Sequence, residues 1–270
     1  MKYRYITGIL ILLAAVGAYC GYRWYAASYR PEKLIEESDR EQLELFESVR
    51  PEIITDENSA AAEATGINDS HESPAEDDTV SHIAGCEAVN DETVGWIYIP
   101  GTHIDYPVMQ SADNDFYLHH GFDREYNNEL GCPFLDYRCS SDFSGLNSIV
   151  YAHYMADRRM FADVSLYKDS SYMESCPEGY LVTPEGQHKV RFFAYLSVPA
   201  DAPVYHTVFM TENDRSDYID YLFTEADYTY GITAGELKER SSLHLLMLST
   251  CTFEYDDSRG VLAGIIADVS

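Results

Sequence analysis

Basic residues are scarce in this chain. Its 270 residues carry 18 Lys and Arg against 46 Asp and Glu, a net charge of −28, and no Lys or Arg stands between Pro51 and Asp123. That excludes a nucleic-acid binder, which needs clustered cations to displace the counterions of a phosphate backbone. Cysteine is sparse as well. The chain has six, none in a Cys-x-x-Cys pair, which excludes a disulfide-built scaffold and a zinc ribbon. There is no His-Glu-x-x-His, and the acidic stretch lacks the Gly and Glu spacing of a calcium loop. Aromatic residues are missing from Pro51 to Thr79. Long uncharged apolar runs are missing too, with one exception at the start of the chain.

That exception runs from Tyr5 to Tyr22, behind Lys2 and Arg4. As a helix these residues would rise about 27 Å, close to the ~30 Å hydrocarbon core of a bilayer. Trp24 and Tyr25 suit the far interface, where Arg23 can snorkel. The expectation is an uncleaved single-pass anchor in the cell membrane, with a cytoplasmic N-terminus and an extracellular remainder. A cleavable signal peptide is the competing reading, because Val16 and Ala18 are small enough for a cleavage site. The bulky Tyr19 before Cys20 does not suit a lipoprotein signal.

Composition then divides the chain into three. Residues 1–30 read as cytoplasmic tip and anchor. Residues 31–79 read as a stalk helix, opened by Pro31, followed by a disordered acidic linker from Pro51 onward. Residues 80–270 read as a folded domain. Within it, short β-rich runs appear at Gly95–Ile99, Ile104–Val108, Pro133–Asp136, Ser148–Ala152, Gly179–Val182, Lys189–Val198, Leu243–Thr250 and Val261–Val269. Helical pieces fit His82–Ala88, Asn114–His119 and Ser216–Ala226. Many short strands with few helices predict an all-β barrel or sandwich carrying helical insertions.

Chemistry concentrates near the C-terminus. Leu243–Thr250 reads as a buried strand running into Cys251, and Arg259 opens the next. Opposed side chains on antiparallel strands stand about 5 Å apart at Cβ. A guanidinium there could stabilise a thiolate, the reactive form of cysteine, or a developing oxyanion. Alone, a strand-end cysteine is more often structural. Cysteine chemistry also requires an acid/base, and nine histidines are available. His153 ends the run Ser148–Ala152, but spacing by itself does not single it out.

Longer motifs resolve the choice. Asn90-Asp91-Glu92-Thr93-Val94-Gly95-Trp96-Ile97, Ile99-Pro100-Gly101-Thr102 and Ile104–Gln110 come first. Asp113–Leu118, Phe134–Arg138, Ile149–His153 and Met160–Asp163 follow, and Leu248-Ser249-Thr250-Cys251 with downstream Arg259 closes the series. In this order they resemble a class B sortase across nearly all of residues 85–270. Met247 departs from the usual Thr of that family's cysteine motif, and Ala152 from its usual Gly. The resemblance implies a sortase-type eight-stranded β-barrel. It implies a cysteine transpeptidase of the Gram-positive surface that cleaves a C-terminal sorting signal after Thr and passes the acyl group to a cell-wall amine through a thioester. Residue by residue it implies Cys251 as nucleophile, His153 as acid/base and Arg259 as oxyanion or substrate stabiliser. Asn114, Leu118, Tyr151, Tyr205, Ser249 and Thr250 would line the sorting-signal groove, with Tyr205 in the most weakly matching stretch.

No metal or organic cofactor is expected. The partners expected are sorting-signal-bearing surface proteins, a peptidoglycan precursor or cross-bridge amine, and the membrane. A pilin-polymerising enzyme of the same fold, with a Lys acceptor, is the alternative, and an inactive surface-binding module is a more distant one. A papain-like protease is disfavoured because there the cysteine precedes the histidine. Cys86, Cys132, Cys139 and Cys176 have no part in this chemistry, and any disulfide among them is open.

Overall fold

The computed structural model describes residues 37–56, 81–251 and 258–267. The chain divides into two compact units, Met1–Leu45 and Phe46–Ser270. Of the first, residues 37–45 are described and helical. There Arg40 stands 3.8 Å from Glu37 and 3.7 Å from Glu44, exposed pairs worth a few tenths of a kcal/mol each. The expected membrane span at residues 5–22 lies outside the described residues. Among those described, no helix is long and apolar enough to cross a membrane.

The second unit is built on nine strands: β1 Thr93–Tyr98, β2 Asp105–Met109, β3 Phe134–Leu135, β4 Asn147–Tyr151, β5 Glu178–Thr183, β6 Gly186–Pro199, β7 Tyr228–Thr229, β8 His244–Cys251 and β9 Ser258–Ile266. They hydrogen-bond in the order β5-β1-β2-β3-β4-β8-β9-β6-β7, and β5 also pairs with β6. That extra pairing closes eight strands into a barrel and leaves β7 as a short addition on β6. The eight barrel strands are the eight β-rich runs of the sequence. The ninth, two residues long, is too short to carry a pattern.

Strand β8 shows why its sequence is an unbroken apolar run. Successive side chains on a strand face opposite ways, yet Leu245, Leu246, Met247 and Leu248 are all buried. Leu245 and Met247 share a cluster with Val261, Ala263 and Ile265 of β9 and with Tyr218, Ile219 and Leu222 of a helix at Glu212–Glu225. The helix covers one face of the sheet, which leaves the alternate residues to fill the other. Met247, where the sequence departs from the family's Thr, is part of this apolar layer. The helix begins one turn before the expected Ser216, because Thr211 and Asp214 form a reciprocal capping box. Short helices at Ala84–Val89, Phe116–His119, Ala162–Lys168, Ser170–Ser175, Pro203–Tyr205 and Ala234–Lys238 accompany it.

The folded unit begins earlier than composition suggests. Residues 46–56, which the sequence assigns to stalk and linker, pack on the barrel. The Phe46 ring sits edge-on to Tyr106 and Phe122, each at 5.8 Å. Arg50 donates to Asp105 at 2.6 Å and lies over the Tyr98 ring. Gln187 takes both backbone groups of Ile54, at 2.9 and 2.6 Å, and Lys189 pairs with Asp56 at 2.7 Å. Burying Phe46 is worth about 1.5–3 kcal/mol, against at most about 1 kcal/mol for an exposed ion pair. The apolar contact therefore anchors this strap, and a charge count over the segment does not register it.

Candidate active site

Three neighbouring strands end together. β4 runs parallel to β8 with Tyr151 opposite Ser249, and β8 runs antiparallel to β9 with Cys251 opposite Arg259. The backbone N–H of Ala152 donates to Ser249 O at 3.2 Å, which carries the β4–β8 pairing one residue further. His153 follows immediately. Residues separated by about a hundred positions in sequence thus reach one end of the barrel through strand register alone.

The His153 ring is held from two sides. Its Nε2 lies 2.7 Å from Leu118 O. A carbonyl oxygen only accepts, so Nε2 carries a proton in this contact, leaving Nδ1 to take or give a second one. Behind the ring is Gly131, at φ +57°, a conformation that favours glycine. A Cβ there would sit 2.8 Å from Tyr117 O, 2.9 Å from Leu118 O and 3.2 Å from His153 Cδ2. Only a residue without a side chain lets the backbone approach so closely.

A cavity of about 580 Å³ opens beside these strand ends. Asn114, Leu118, Tyr151, His153, Tyr205, Ser249, Thr250 and Arg259 all line it, so the structure brings the residues proposed from sequence into one place. The backbone of Cys251 adjoins it by register, next to Thr250. Tyr205 stacks on Tyr151 with ring centroids 5.9 Å apart and shares a 3.0 Å hydrogen bond with Ser249. Thr250 Oγ1 is buried and has no hydrogen-bond partner among the described residues. Arg259 donates to Ser258 O at 3.1 Å, and among the described residues no carboxylate pairs with it.

Sequence reasoning missed part of this wall. Phe134, Arg138, Ala200, Asp201, Ala202 and His206 also line the cavity. Phe134 and Arg138 stand inside a matching motif and could have been found there. Residues 200–206 carry no motif and are placed by tertiary contacts: buried Asn147 donates to Val204 O at 3.0 Å and to His206 O at 2.8 Å.

Asp136 organises the opposite wall. It is fully buried and accepts from Arg138 at 2.6 and 2.8 Å, Asn114 at 2.9 Å and Tyr151 at 3.0 Å. Burial works to raise its carboxyl, but the Arg138 guanidinium and backbone N–H, with the Asn114 amide, outweigh burial and hold it below the usual range. Such a group contributes stability that is fully present above its unfolded value near ~3.9. That stability is lost as pH falls through the lower folded value. Asp136→Asn is therefore expected to melt about 3–12 °C lower at pH 7, with the gap to wild type narrowing below about pH 4. Melting curves across this range check it, and a gap independent of pH would place the effect in packing rather than charge.

Three of the four other described thiols are poor nucleophile candidates. Cys86, Cys132, Cys139 and Cys176 are all free. Burial pushes Cys86 up to about 12 and Cys139 up to about 11, and raises Cys132 well above its ordinary value.

No family model matches the chain. It is 31% identical over 218 residues to Sortase B of Listeria monocytogenes, spanning 81% of this chain and 85% of that one. A solved structure of sortase B from Listeria monocytogenes is similar at a TM-score of 0.58 and 32% identity, covering 66% of this chain and 97% of that one. A Staphylococcus aureus sortase B–substrate complex shares the fold at a TM-score of 0.66 and 22% identity, covering 87% of this chain and all (100%) of the other.

Proposed function

The chain belongs to the sortase B family and is a cysteine transpeptidase of the surface-anchoring kind; from that premise we propose that it cleaves a C-terminal sorting signal after Thr and joins the new acyl end to a cell-wall amine. Cys251 attacks the Thr carbonyl carbon. Arg259 supplies charge and forked N–H donors to the oxygen on which negative charge develops. His153, working through Nδ1, protonates the departing amine, and a thioester on Cys251 remains. In the second half the amine nitrogen replaces sulfur at the carbonyl carbon, and His153 accepts its proton.

The observation that carries this reading is the register of three strand ends. It puts Cys251 across from Arg259, with His153 just beyond the strand paired to β8, at the rim of one cavity. Asn114, Leu118, Tyr151, Tyr205, Ser249 and Thr250 would hold the signal peptide in that cavity. The protein would act outside the cell from a membrane anchor at residues 5–22.

Incubating the protein with a sorting-signal peptide is expected to add the mass of the acyl fragment to the intact chain. Peptide mapping should place the addition on Cys251, and hydroxylamine should release it. Cleavage without any covalent species, under rapid quenching, would argue for direct hydrolysis instead.

A further inference from the structure

Cys251 and Arg259 belong to β8 and β9, but His153 lies two residues past the end of β4. Leu118 O and Gly131 meet its ring, and the loop that follows holds its backbone. Phe161 N–H donates to His153 O at 3.1 Å, and Tyr154 bridges Met160 in antiparallel fashion. Residues 154–160 therefore fold back onto the histidine.

That loop is not relaxed. Arg158 has φ +67° and Met160 φ +52°, in the left-handed region that a side chain disfavours. Residues other than glycine stay there only where their surroundings hold them. Two contacts do so here. Met160 N–H donates to the hydroxyl of buried Tyr106 at 3.2 Å. The Arg158 guanidinium forks onto Asp163, Nε to Oδ1 at 2.7 Å and Nη2 to Oδ2 at 2.9 Å. Asp163 is buried and is fixed from its other side by His103, whose backbone N–H donates at 2.9 Å and whose Nδ1 lies at 2.8 Å. Burial works to raise the Asp163 carboxyl, but the Arg158 and His103 hydrogen bonds outweigh it and hold it below the usual range. His103 stands in the connection between β1 and β2, so the fork ties the loop to the barrel.

We propose that Arg158 and Asp163 are positioning residues for His153: their forked ion pair keeps the strained loop closed and so aims the imidazole at the departing amine. The inference rests on the acid role given to His153 above and names the residues that enforce it. Neither lines the 580 Å³ cavity, so each acts through the histidine. Two parallel charge-assisted bonds fix an angle as well as a distance. Without them the left-handed residues lose one of their two restraints, and the loop that receives His153 O can relax. A displacement of about 1 Å in a catalytic group costs on the order of a hundredfold in rate.

The test compares two substrates of one acyl sequence in single-turnover acylation of the whole chain. In a sorting-signal peptide the carbon–nitrogen bond breaks, and the nitrogen must gain a proton. In the same sequence ending at Thr as an aryl thioester, the carbon–sulfur bond breaks and the thiolate leaves with its electron pair, needing no proton. Arg158→Ala is expected to lower the maximal peptide rate about ten- to a hundredfold, with the half-saturating peptide concentration within about twofold of wild type. On the aryl thioester the loss should stay below about threefold. Arg158→Lys keeps the charge without the fork and should recover part of the peptide rate, and Asp163→Asn should resemble Arg158→Ala. His153→Gln is the reference and should show the same dependence on leaving group, enlarged. Equal losses on both substrates, or a loss confined to peptide affinity, overturn the positioning role. So does an Arg158→Ala protein that melts below the assay temperature, because the pair would then serve the fold. If His153→Gln itself loses equally on both substrates, it is the acid role of His153 that fails, and this inference with it.

Discussion

Replacing Cys251 with Ala is expected to reduce peptide cleavage by a factor of about 10⁶ and to remove the acyl adduct entirely. Among the described residues no other thiol lines the cavity. Cys86 and Cys132 are buried and Cys139 half-buried, and at neutral pH burial keeps all three as thiols rather than thiolates. Cys176 contributes to a different cavity, beside Tyr98 and Tyr180. The measurement is steady-state cleavage of a fluorogenic sorting peptide alongside intact mass. Residual cleavage at a few per cent of wild type would remove Cys251 from the nucleophile's role.

The second large effect concerns Arg259. Its Lys variant keeps the positive charge but replaces a planar fork of donors with a single rotatable ammonium. If the guanidinium holds the developing oxyanion, Arg259→Lys should lose on the order of 10²–10³ in kcat/KM. The loss should appear mainly in kcat, because the interaction strengthens as charge develops. Folding should survive, since among the described residues the side chain hydrogen-bonds only to the neighbouring Ser258 O. A melting curve close to wild type would establish that. Near wild-type turnover in the Lys protein would reduce Arg259 to a source of charge.

Much of this site was legible in the linear chain, and the reason is strand register. Cys251 and Arg259 flank one connection between consecutive antiparallel strands, so their juxtaposition follows from local sequence distance. His153 needed more. Its strand is joined to β8 by a parallel pairing of distant segments, which no local pattern predicts, and only the family's motif order singled it out. Asp136 was visible as part of a motif but not as a buried hub, because that role depends on Asn114 and Tyr151 arriving from two other stretches to join the nearby Arg138. The strap at residues 46–56 was misread for the opposite reason. Its composition is that of a linker, and its packing rests on Phe46, Arg50 and Ile53, too few apolar positions to stand out.

The parallel β4–β8 pairing also sets when the enzyme can exist during folding. Asn147 pairs with Leu245, which closes a loop of roughly a hundred residues, and such contacts form late because their closure entropy must be met first. Before that step β8 and β9 can zip as a hairpin with Cys251 and Arg259 in register, yet His153 is still elsewhere. Recovery of activity in a refolding experiment should therefore lag behind recovery of β-structure. An immature chain would hold its nucleophile and its anion donor without the proton carrier that makes them an enzyme.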